Sequence, residues 1–246
     1  MGYACNCSWR LSGATGTMWI RAGQWKALFT LAMVICASRP IRSQNPQIKI
    51  DNNPPVPTVT FSWALFFANP SSYSIAIAST GTATYKSTPN QVSQTGVPYT
   101  VEFLASAPFR SQVLQLTRRL HYLDLPSTQS LLSAAREQVV TLTFRAGKMQ
   151  HQIVFHHTKN VLLHKLVEMF ENLSATLEFG RRLEKLHEQH STALNGELQR
   201  MLTLARDRRL PELQAVAHVL RAIASDKTLE KPVQLRAEAI LALVSS

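Results

Sequence analysis

Cysteine is nearly missing from this sequence, which has three in 246 residues. Cys5, Cys7 and Cys36 all lie within the first 43 residues. If this amino-terminal stretch is a leader that is removed, the mature chain has no thiol. We therefore expect a cysteine-free mature protein without disulfides, thiolate zinc sites or a cysteine nucleophile.

Acidic residues are absent from the same 43 residues, which contain five bases. Their apolar run, Ala27–Ala37 (ALFTLAMVICA), is far shorter than the roughly 20 residues that cross a bilayer. Basic residues before a short apolar run predict a secretory signal peptide over residues 1–43. Translation from Met18 would give it the usual length, and cleavage after Ala37 or after Ser43 fits the pattern. The alternative is an uncleaved leader that anchors the chain in a membrane.

A large basic surplus is also absent once the leader is set aside. The whole chain has a net charge of 26 − 15 = +11, and residues 44–246 keep 21 − 15 = +6. This surplus suits solubility and weak attraction to anionic envelope surfaces, but it does not indicate nucleic-acid binding. We expect a protein or envelope partner, no nucleic acid, and membrane contact only through an uncleaved leader.

Strand signals dominate the first part of the body. A proline-rich linker, residues 44–57, precedes them. Between residues 58 and 158, β-branched and aromatic residues recur in six short runs, and the last two are separated by the hairpin-length connection Ala146–Met149. One helix interrupts the strands, with Ser106 as its cap and Phe109, Val113 and Leu116 at helical spacing.

Helical periodicity continues through residues 159–246 in three segments: Val161–Arg206, Pro211–Ser225 and Pro232–Val244. Gly180 and Gly196 are candidate breaks in the first, and Pro211 is expected to begin the second. Strands followed by helices predict an α+β protein with a small antiparallel sheet, a packed helix and a carboxy-terminal helical region.

A resemblance extends over about residues 58–225. The run Tyr73–Tyr85 (YSIAIASTGTATY), then YTVEF, the helix FRSQVLQLTRRL, a second hairpin and LEFGRRLE resemble secreted bacterial proteins of unknown function. The resemblance implies export and this fold, and it implies no site residue.

A histidine cluster, HQIVFHHTKNVLLH, is the first candidate metal site. On a strand, His156 and His157 point to opposite faces, and His151 lies about 20 Å from His157, too far to share one ion. Only His157 with His164, where the strand gives way to a helix, could still form a pair. We interpret the cluster mainly as a strand followed by a helix start, with the boundary near residues 158–160.

The second candidate site is on the long helical segment. His187, His190 and Glu197 fall on an apolar stripe with Leu183, Leu186, Leu194, Leu198 and Met201. They could form a metal or acid-base site, although Glu184 with His187 supplies only one of the two Glu-x-x-His motifs of a di-iron bundle. The simpler interpretation is that His190 and Glu197 pair with each other or with a neighbouring helix.

Paired arginines, Arg118–Arg119, Arg181–Arg182 and Arg208–Arg209, could bind carboxylates or phosphates. The side chains of neighbouring helical residues point about 100° apart, so the two arginines of a pair cannot bind the same anion together. No nucleotide-binding loop, dinucleotide fingerprint, zinc-protease or serine-hydrolase motif is present in the sequence. We therefore predict an exported, cofactor-free, non-catalytic binding protein of the cell envelope or exterior. An exported hydrolase or metalloprotein and an anchored structural protein are the alternatives.

Overall fold

A computed structural model describes residues 56–65, 68–89, 98–125 and 138–244. The leader predicted for residues 1–43, and all but the last two residues of the linker, lie outside this part. The described residues form six strands, β1 Thr58–Ala64, β2 Ser72–Ala78, β3 Thr82–Thr88, β4 Tyr99–Leu104, β5 Val139–Ala146 and β6 Met149–Phe155. They make one antiparallel sheet in the order β4-β3-β2-β1-β5-β6.

The two faces of the sheet differ because side chains alternate along each strand. Phe61 is paired with Ile75 on one side and with Leu142 on the other, and all three are fully buried. The next row across the same strands, Ser62, Ser74 and Thr141, is only half-buried. The helices therefore pack on the first face, which we call the covered face.

Helix α1, Ala107–Arg119, carries the chain back from the edge strand β4 to β5 on the far side of β1. The Ser106 hydroxyl accepts a hydrogen bond from the Phe109 amide at 3.4 Å, which confirms the predicted cap. Phe109, Val113 and Leu116 are buried toward the sheet. Their helical spacing gives α1 one apolar side, and that side packs on the covered face.

The helical half comprises α2 Val161–Glu188, α3 Leu194–Arg206, α4 Ala217–Ser225 and α5 Lys231–Val244. Asn160 caps α2 by accepting from the Leu162 and Leu163 amides, so the predicted boundary between sheet and helices is confirmed. The Phe170 ring stacks on Phe61 with 5.0 Å between centroids, and both halves share one hydrophobic core. None of the helices within the described ranges has the length and apolarity needed to span a membrane. The predicted α+β fold class is confirmed.

Two predicted helix boundaries are wrong. Helix α2 continues through Gly180, and the chain breaks later, over residues 189–193, ahead of Gly196. Gly180 serves packing, because a Cβ there would lie 2.5 Å from Val216 Cγ1. The segment after Pro211 does not begin as an α-helix, since Glu212 has φ 57° and a 3-10 turn, Leu213–Val216, precedes α4.

The two helical glycines give a matched test of this packing. Gly180→Ala is expected to lower the free energy of unfolding by about 1–2 kcal/mol, because overpacking against Val216 outweighs the gain in helix propensity. Gly196→Ala places its Cβ in open space, so propensity alone acts and should raise stability by about 0.5 kcal/mol. Urea unfolding measures both; equal effects would contradict a packing role for Gly180.

Candidate functional site

The structure gives His187 a partner that the sequence did not suggest. Its Nε2 lies 2.8 Å from Asp226 Oδ2, in the loop between α4 and α5. The other oxygen of Asp226 accepts from the Thr228 amide at 2.9 Å and hydroxyl at 2.7 Å. Hydrogen bonds from Thr228 and then from His187 lower the pKa of Asp226 to about 2. This pair ties the end of α2 to the α4–α5 loop.

Glu197 is buried, as its place on the stripe predicts, but its contacts are arginines. Oε1 accepts from Arg182 Nε of α2 at 2.6 Å, and Oε2 accepts from Arg200 at 3.2 Å. His190 is exposed beyond the end of α2, with φ 47°. His187 and Glu197 therefore bind different partners and do not form one site. The part of the chain that the structure describes contains no group of three or more possible metal ligands.

The four clustered histidines are also spread out. His151 lies on the covered face, 3.6 Å from Asp124, and His156 Nδ1 lies 2.8 Å from the Gln138 carbonyl oxygen. His157 and His164 are exposed on either side of the Asn160 cap. The four histidines are thus distributed from β6 to the first turn of α2, and they do not converge on one point, as the strand geometry predicts.

The paired arginines separate in the same way. Arg181 Nε donates to Glu178 Oε2 at 2.7 Å, whereas Arg182 pairs with Glu197 and lies over the Phe179 ring at 4.5 Å. Each member of this pair therefore binds a different carboxylate. Arg118 and Arg119 end α1, and both are exposed.

A buried carboxylate, Glu178, joins α2 to the covered face. Its Oε1 accepts from the Tyr85 hydroxyl at 2.8 Å and from the Ser87 hydroxyl at 2.9 Å, and Arg181 binds its other oxygen. Burial, reinforced by this carboxylate, raises the pKa of Tyr85 well above its usual range. Every polar group of the cluster has a partner, so it holds the helix on the sheet.

Tyrosines surround this carboxylate along the sheet. Tyr73 stacks on Trp63 with 5.2 Å between centroids, and burial raises the Tyr73 pKa well above its usual range. Burial, with Glu184 nearby, raises the pKa of Tyr99 to about 12. The sequence contains one signal for this cluster, an acid, Glu178, on the apolar face of a helix, and it did not lead to a predicted site.

A second missed carboxylate, Glu212, binds the start of α1. It accepts from the Ser106 amide at 2.7 Å and the Ser106 hydroxyl at 2.6 Å, and also from Gln214. These bonds explain its left-handed φ, which turns the side chain away from the helix that Pro211 was expected to begin.

An apolar pocket of about 380 Å³ lies between the end of α1 and the covered face. It opens where β5 ends and β6 begins. Tyr122 and Met149 line it and are 37% and 39% exposed. Its volume and composition are typical of small-molecule sites, which are concave, mostly apolar and about 300–1,000 Å³ in size. Further lining residues are Pro57, Ser79, Leu114, Arg118, Phe144 and Ala146.

A strained turn forms one wall of this pocket. The three residues after Leu120, His121–Leu123, have φ values of 50°, 56° and 68°, a left-handed turn without glycine. Such a conformation costs about 1–2 kcal/mol per residue. Leu120 and Leu123 are 2% and 1% exposed and anchor the turn in the core, while Tyr122 packs on Phe144 at 5.0 Å. The packing therefore fixes the Tyr122 ring at the pocket.

Comparison with known proteins leaves these sites to be interpreted from their own geometry, because no family model matches the chain and no curated protein is significantly similar to it.

Proposed function

We propose that this chain is an exported binding protein that holds a small apolar ligand in the pocket beneath α1. The observation that carries the proposal is the pocket itself, an apolar concavity with exposed Tyr122 and Met149 side chains. Export rests on the amino-terminal pattern of residues 1–43. The envelope partner expected from the sequence stays a prediction.

The strained turn supports a binding role. Backbone strain concentrates at ligand sites, where the surrounding structure must hold an unfavourable conformation. Here the strain places the Tyr122 ring against Phe144 in the pocket wall. A wall fixed before binding reduces the entropy that the protein must lose when the ligand binds, so a preformed pocket binds more tightly than one that must be ordered.

An uncharged fluorescent probe, N-phenyl-1-naphthylamine, tests the proposal. Protein recovered from the periplasm should enhance its fluorescence and saturate at about one probe per chain, because such sites are few per protein. Leu114→Trp, which fills the pocket, should abolish the saturable signal. Leu235→Trp is the matched control, since Leu235 is 50% exposed on α5. The mass of the recovered protein also reports whether residues 1–43 were removed.

A second substitution that fills the pocket from another wall, Ala146→Leu, distinguishes loss of binding from a folding defect in Leu114→Trp. Circular dichroism of all three variants checks that each is folded. No saturable binding by the parent protein, or equal binding by folded pocket variants and Leu235→Trp, would contradict the proposal.

A further inference from the structure

The pocket beneath α1 has one cationic group in its lining, the Arg118 guanidinium. Within the described ranges, the Arg118 guanidinium has no hydrogen-bond or ion-pair partner. Arg181 and Arg182, by contrast, are each bound to a carboxylate. No described residue therefore occupies the five N–H donors of Arg118, and they can bind a ligand that enters the pocket.

The remaining lining sets the shape of the rest of that ligand. Leu114 lies one helical turn before Arg118, and Phe144 and Met149 line the opposite wall. The Tyr122 ring contributes an apolar surface with a single hydroxyl. An apolar body with one charged end thus matches the pocket, with the charge at the end of α1.

The sign of that charge follows from the groups around the pocket. Arg119 and Lys148 each adjoin a lining residue in the chain, whereas Asp124, the acid nearest to Arg118 in sequence, is 77% exposed, so water and salt screen its charge. The carbonyls at the carboxy-terminal end of α1 disfavour an anion. The energy of this dipole effect is smaller than that of a bidentate arginine–carboxylate contact. The balance favours a negatively charged ligand.

We propose that the pocket binds an acyl carboxylate, with its chain against Leu114, Phe144 and Met149 and its carboxylate on Arg118. The inference rests on the proposed binding function and adds the ligand's chemical class. A carboxylate bound by an arginine in this setting gains charge-assisted hydrogen bonds that an alcohol of the same chain length lacks.

Displacement of the uncharged probe by decanoate and by decanol tests this class. At pH 8 the parent protein should prefer decanoate by about tenfold, the ratio expected of one charge-assisted contact. Arg118→Gln should reduce the ratio to about one while leaving displacement by decanol unchanged. Arg119→Gln, at the exposed neighbouring position, is the matched control and should keep the preference.

The outcomes separate the two proposals. Probe binding without preference for decanoate, or a preference that survives Arg118→Gln, would overturn the carboxylate assignment and leave the binding function standing. Failure of the probe to bind would overturn both. N-acetyl-leucyl-leucine carries the same charge on a peptide, and stronger displacement by it than by decanoate would also overturn the acyl assignment.

Discussion

Replacing Glu178 with alanine is expected to lower the free energy of unfolding by about 3 kcal/mol. The substitution leaves the Tyr85 and Ser87 hydroxyls without their shared acceptor at the centre of the helix–sheet interface. A buried hydroxyl without a partner costs about 1–3 kcal/mol. Arg181 is 28% exposed, so water screens its contact with Glu178 and the ion pair adds less than the two hydroxyls.

Urea unfolding with linear extrapolation measures the loss. Glu178→Gln keeps an oxygen for the hydroxyls and removes only the charge, so its loss should be about half as large. Glu168→Ala removes an exposed acid from the same helix and should change stability by less than about 0.5 kcal/mol. Equal effects at positions 178 and 168 would show that the buried cluster does not hold α2 on the sheet.

Stability is expected to fall steeply above pH 10 because of buried tyrosines. Tyr85 is 0% exposed, and burial with the Glu178 carboxylate raises its pKa far above the usual 10.0. Above pH 10 the unfolded chain loses the Tyr85 proton while the folded chain keeps it. The unfolded state then binds fewer protons, so stability decreases as pH rises, by about 1.4 kcal/mol per pH unit for this tyrosine. Burial of Tyr99, whose pKa is raised to about 12, acts in the same direction between pH 10 and 12.

Unfolding midpoints in urea from pH 8 to 12 measure this slope. Tyr85→Phe should flatten it by about 1.4 kcal/mol per pH unit, because phenylalanine has no proton to lose. Ser87→Ala is the control, since it removes a hydroxyl from the same carboxylate without removing a titrating group, and its loss should be the same at every pH. A parent-like slope in Tyr85→Phe would contradict this explanation.

Local sequence signals predicted elements wherever the cause of the structure is local. The alternation of Val59, Phe61 and Trp63 is enough to predict a strand, since one face must be buried. Ser106 ahead of Phe109 predicted a helix start, because the cap needs only residues three apart. The hairpin over Ala146–Met149 was predicted for the same reason, and Gly147 supplies its positive φ of 62°.

Predictions from local signals were wrong where distant residues decide the conformation. Gly180 looks like a helix break, yet it allows close contact with Val216, 36 positions away. Pro211 looks like a helix start, but Glu212 turns aside to bind Ser106, which is 106 positions away. In both cases the energy comes from a contact between elements, and no local pattern contains it.

The candidate sites show the same difference between local causes, which the sequence predicts, and contacts between distant residues, which it does not. The histidines near β6 separate as strand geometry predicts, but the partner of His187 is Asp226, 39 positions away. The stripe that grouped His187, His190 and Glu197 assumed one continuous helix, and the break over residues 189–193 ends that alignment. Arg118 was visible in the sequence only as half of a pair of arginines.

By itself the sequence determined the α+β class, the six strands, the cap of α1 and the point where sheet gives way to helices, because each depends on neighbours within one element. The tertiary structure alone decided which carboxylates are buried, which arginines they bind, and that Arg118 lies at an apolar pocket. It also decided the left-handed turn at Tyr122, since only burial of Leu120 and Leu123 offsets that backbone strain.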